Sequence, residues 1–140
     1  MNPQPPCLGP AVRPSGTYSR SYADDVRFAP RSYNPSVALD VALQLIRVLR
    51  GPVGRIRRRD SALAGQIQRS ASSVAANLAE GRRRAGKDRL HLYRVAAGSA
   101  DETRTHLWVA EAWSWVDRSE VEEALALADR ELSIIDGLTR

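Results

Sequence analysis

From residue 37 onward the apolar positions of this chain recur at helical spacing. Leu63, Ile67, Ala71, Val74 and Leu78 follow at steps of four, four, three and four, a single apolar stripe on one helix. The segment upstream opens with Asn34-Pro35-Ser36, where proline's missing N–H costs little at a helix start. It carries two stripes: Leu39, Ala42, Leu43, Ile46 and Leu49, and then Val37, Val41, Leu45 and Val48. Gly51-Pro52 is predicted to break or kink this first helix. Asp60 and Ser61 are candidate N-caps for the second, which Gly81 stops. Residues 81–86 read as a loop, and a third helix is predicted over residues 87–116. Ser119-Glu120-Val121-Glu122 reads as a capping box for a fourth helix, whose stripe is Val121, Ala124, Leu125, Ala128, Leu132 and Ile135. No strand pattern and no internal repeat is found.

The third helix is apolar on two sides. At about 100° per residue, Leu92, Val95, Ala96, Ser99, Leu107 and Ala110 cluster on one, and Leu90, Tyr93, Ala97, Trp108, Ala112 and Trp115 on the other. Short connections make the four helices antiparallel neighbours, so the expected fold is all-α, an up-down-up-down four-helix bundle over residues 36–140. No helix is central in such a bundle. The second face, with Leu90, Tyr93, Trp108 and Trp115, is therefore expected to meet other subunits.

Seven of the eight prolines lie in residues 1–35, a flexible Pro-rich arm. There Tyr18, Tyr22, Phe28 and Tyr33 interleave with Arg13, Arg20, Arg27 and Arg31, a pattern open to stacking on single strands, to lying along a neighbouring subunit, or to a bland tail. Charge is uneven: residues 44–94 carry a net +10 and residues 95–140 a net −6, within an overall +5. A basic half beside an acidic half points to a polyanion partner or to self-association. Of 21 basic residues only Lys87 is lysine, and arginine's fork suits phosphate, although a GC-rich genome produces the same bias. The lone Cys7 excludes an internal disulfide. With no leader and no membrane-length apolar run, a cytoplasmic location is expected.

Two basic clusters fall at opposite bundle ends: Arg55, Arg57, Arg58 and Arg59 between helices one and two, and Arg82, Arg83, Arg84, Lys87 and Arg89 between helices two and three. A second helix of about 20 residues holds them roughly 30 Å apart, a span for a polymer and not for one compact phosphate. His91 and His106 stand 15 residues apart on one helix, too far to share an ion, so no metal and no cofactor is expected. Ser72 and Ser73 have no base in their segment, no Gly-rich phosphate loop is present, and no catalysis is expected. Gln66, Ser70, Ser73, Asn77 and Glu80 make a polar stripe down helix two, read first as a hydrogen-bonded network within or between subunits and second as a ligand site.

Leu63, Gln66, Ile67, Arg69, Ser73, Asn77, Ala79, Glu80 and Gly81 follow one long motif, and Ala96, Gly98, Ser99, Glu102 and Leu107 a second, in order. Together they make residues 37–138 resemble the bacterial four-helix bundle proteins read from intervening sequences of large-subunit ribosomal RNA genes. Ser70, Arg89 and Ala97 depart from the pattern, where alanine, an aromatic and a basic residue are usual. The resemblance implies a homopentameric ring without catalysis. A relative, the accessory variability determinant of diversity-generating retroelements, is a basic barrel that binds nucleic acid and a reverse transcriptase. The expected function is a non-enzymatic nucleic-acid-binding accessory ring, assisting a reverse transcriptase; the alternative is a protein-only assembly scaffold.

Overall fold

A computed structural model describes residues 34–140; the arm, with its arginines and aromatics, lies outside the described residues. Four helices follow in order: α1 (Pro35–Arg57), α2 (Ser61–Gly81), α3 (Gly86–Ala112) and α4 (Arg118–Thr139). No strand occurs among the described residues. Each helix packs on its chain neighbours and α4 closes on α1, so α1/α3 and α2/α4 lie across the diagonals of an antiparallel bundle. The predicted all-α bundle is the observed architecture.

Asn34 caps α1, its Oδ1 accepting from the Ser36 N–H at 2.8 Å. Of the break or kink predicted at Gly51-Pro52, the break does not occur: α1 runs through Pro52 to Arg57. An interior proline costs about 3 kcal/mol. Beyond it Val53 and Ile56 are buried, each contributing about 1.5–3 kcal/mol if left unexposed, which outweighs the lost bond. Asp60 caps α2, accepting from the Ala62 and Leu63 N–H groups at 2.9 Å.

α3 ends at Ala112, four residues before its predicted stop. Ser114 turns the chain through φ 56°, Trp113 and Trp115 stack at 5.9 Å on either side of it, and Val116 is returned to the core. The capping box of α4 lies two residues earlier than predicted. Asp117 is the N-cap, and its backbone N–H donates to Glu120 Oε2 at 2.7 Å. Ser119 lies inside the first turn.

The core has two apolar blocks separated by a polar level. The first holds α2 residues up to Ala71, α3 residues from Leu107 and α4 residues up to Ala128. The second holds α2 from Val74, α3 up to Ala100 and, on α4, Ile135. Between them lie the buried Ser70, Ser99, Thr103 and Glu131.

Candidate nucleic-acid interface

The α2–α3 loop is short because Gly86 opens α3 at φ +55°, a conformation a Cβ disfavours. It carries Arg82, Arg83 and Arg84 exposed, and Lys87 and Arg89 in the first turn of α3 are also exposed. Arg84 pairs with Glu80 at 2.7 Å, and Arg89 Nε donates to the Arg84 carbonyl at 2.7 Å, bracing the loop. Arg82, Arg83 and Lys87 have no ion-pair partner among the described residues.

The second cluster is more engaged. Arg55 forms an ion pair with Glu120, and Arg57 donates to Gln68 Oε1 at 2.5 Å. Arg58 and Arg59 are exposed. The 21 residues of α2 span about 31 Å between the two clusters.

The motif residues divide into a bonded set and an exposed set. Ser99 Oγ donates to Ser73 Oγ at 2.9 Å, and Asn77 Nδ2 donates to the Ser73 carbonyl at 2.8 Å and its Oγ at 3.0 Å. Ser70 and Thr103 share a 2.7 Å hydrogen bond between α2 and α3, and Thr103 also donates to the Ser99 carbonyl at 2.9 Å. Of these, the Ser99–Ser73 and Ser70–Thr103 bonds join α2 to α3 within one protomer. Gln66, Arg69, Gly98 and Glu102 are exposed, and Glu102 lies 3.3 Å from His106 Nε2. Gly81 is buried under Tyr93.

The four residues expected to face another subunit separate. Tyr93 is corrected: it is 1% exposed and belongs to the protomer's own core, because its ring covers Gly81 at the end of α2. Trp115 packs against the first core block. Leu90 is half-buried, and Trp108 remains exposed beneath the Arg104 guanidinium, 4.9 Å above its ring. Arg104 itself bridges Asp101 at 2.5 Å and Asp129 at 2.6 Å, tying α3 to α4.

Glu131 is the residue sequence reasoning missed. It is fully buried on α4, and neither carboxylate oxygen has a hydrogen-bond partner among the described residues. Burial pushes its carboxyl up to about 8, against the weaker pull of neighbouring Arg130. Its spacing carried the signal: 131 falls between Ala128 and Ile135 at steps of three and four, a core position. Val95, also expected inside, is exposed. No group of three metal-ligating side chains occurs among the described residues, and no helix there is long and apolar enough to cross a membrane.

The family model described as 23S rRNA-intervening sequence protein matches residues 38–137, the whole bundle bar its ends. The chain belongs to this family. The bundle is also similar to a crystal structure of a protein of unknown function from the S23 ribosomal protein family of Bacteroides thetaiotaomicron VPI-5482. That likeness has a TM-score of 0.66 at 18% identity, covering 74% of this chain and 98% of the other, and it shows the shared fold. No curated protein matches this sequence. In this chain the motif residues thus frame the α2–α3 hairpin, whose loop carries one of the two basic clusters.

Proposed function

We propose that this intervening-sequence protein is a non-enzymatic nucleic-acid-binding accessory protein that works as a homo-oligomeric ring. The carrying observation is the α2–α3 loop, where Arg82, Arg83 and Lys87 stand exposed without ion-pair partners among the described residues, beside the braced Arg84 and Arg89. Guanidinium groups match phosphate oxygens bidentately, and repetition around a symmetry axis multiplies the field of a loop. A homopentamer and a role beside a reverse transcriptase follow by analogy with the accessory variability determinant, an argument from shared fold.

The test is a titration of structured RNA and duplex DNA at several salt concentrations, read by fluorescence anisotropy. Binding through several phosphates weakens steeply with salt, with a slope near 0.9 log units per contact on duplex DNA. Absence of binding at low salt overturns this reading. The competing protein-only scaffold draws support from the large apolar side chains exposed on α1 and α3.

A further inference from the structure

Five large apolar side chains are exposed among the described residues: Leu43 on α1, Val95, Trp108 and Val109 on α3, and Trp113 just after it. None lies on α2 or α4. On α1, Leu43 continues the line of Ile46 and Arg50 along an open groove of about 340 Å³ between α1 and α2. Its floor is the buried Leu49, Val53 and Ala71, its α2 wall has the small Ser72, and Arg50 and Arg57 stand on its rim. Gly54 also borders it, and a Cβ there would meet nothing within 4 Å.

Along α3 and its C-cap, Val95, Gly98, Glu102, Val109 and Trp113 follow at steps of three, four, seven and four, which makes them one ridge. Ser99 and Thr103 bond to α2 and Arg104 to α4, so this ridge lies on the outer flank beside α2, whereas Trp108 lies on the α4 side under Arg104. Gly98 sits in the helix interior, where glycine is destabilising relative to alanine, yet a Cβ on it would meet open space. Among the described residues nothing stands close enough to Gly98 to require a glycine, and the open space leaves room for a second backbone to come close.

We propose that the α3 ridge of one copy docks in the α1/α2 groove of a second copy, a contact that rests on the homo-oligomeric reading above. Groove and ridge are complementary in kind: an apolar trough with arginines on its rim meets an apolar ridge with Glu102 at its centre. Two exposed glycines, Gly54 and Gly98, let the helices come close. Because groove and ridge are different surfaces, the contact is heterologous, and each copy offers one of each. Such a contact repeats from copy to copy and makes a ring when the rotation between copies closes.

Two single variants and their mixture test it, with mass read by light scattering and fold checked by circular dichroism. Ser72→Arg fills the groove from an exposed position, and Val109→Arg places a cation on the ridge against Arg50 and Arg57. Each alone should be a 15.4 kDa monomer. Mixed one to one, the intact ridge of the first and the intact groove of the second should pair as a dimer of twice that mass and stop there. Gly98→Ala should raise the melting temperature of the monomer while weakening assembly. A monomeric wild type overturns this contact together with the oligomer reading. An oligomeric wild type that both arginine variants leave intact overturns the contact alone, as does a mixture that fails to pair. Release of the N-terminal residues to protease by Ser72→Arg, with the oligomer unchanged, assigns the groove to the chain's own arm and overturns it too.

Discussion

A Cβ placed on Gly81 would stand 2.5 Å from Cε1 and 2.8 Å from Cδ1 of Tyr93, distances that real Cβ contacts do not reach. The glycine that ends α2 is therefore there for space, since its backbone is not left-handed. The ring of Tyr93 needs that space to seal the second core block near the basic loop.

This relationship sets the sign of a substitution. Alanine in place of glycine normally favours a helix by about 1 kcal/mol. At Gly81 overpacking costs about 1–3 kcal/mol, so Gly81→Ala should lower stability in urea denaturation. Tyr93→Phe should be neutral or stabilising, because the buried Tyr93 hydroxyl has no hydrogen-bond partner among the described residues. A stabilising Gly81→Ala contradicts the packing described.

Glu131 should make stability fall with rising pH. Its unfolded value is 4.5 and its folded value about 8, so the unfolded chain releases a proton that the folded one keeps. Its contribution is most favourable below pH 4.5, is lost between 4.5 and about 8, and is flat above. Glu131→Gln should remove that slope and raise stability at pH 8 by a few kcal/mol. Chemical denaturation at pH 5 and pH 8 gives both numbers, and equal slopes for the two proteins refute the assignment.

Replacing Arg82, Arg83 and Arg84 together with serine should weaken nucleic-acid binding and flatten its salt slope by up to three contacts' worth, about 2.7 log units per decade on duplex DNA. Helix content and oligomer mass should not change, since these side chains are exposed. The same change at Arg58 and Arg59 should have the smaller effect, because Glu120 already draws acidity to that end through Arg55. An unchanged slope for the triple variant makes the loop a solvated face.

The start of α4 offers a local test. Asp117→Ala should cost about 1 kcal/mol by removing the N-cap, and Ser119→Ala should be near neutral. Thermal melts of the two variants rank them directly. The reverse order would restore the cap to Ser119.

Much of the bundle was legible because helical period and cap chemistry are local. The stripe on α2, the Asp60 cap, the loop before Gly86 and the two basic clusters all follow from residues within a few turns of one another. The misread features are those in which distant residues outvote the local signal. Pro52 stays helical because Val53 and Ile56 find a core, and Ser114 takes a left-handed turn so that Val116 is buried. The two-sided patterns of α1 and α3 were visible in the sequence, but which residues filled the second side was not. Tyr93 went inward to Gly81, and Val95 went outward.

The sequence by itself determined the helices, their antiparallel order and the placing of arginine at both ends, since spacing and side-chain type suffice for these. Only the tertiary structure decided that Glu131 is sealed without a partner among the described residues, that Ser70, Ser73, Ser99 and Thr103 close a polar level between two apolar blocks, and that a groove lies open between α1 and α2. Those features depend on which faces of separate helices meet, and no residue carries that information alone.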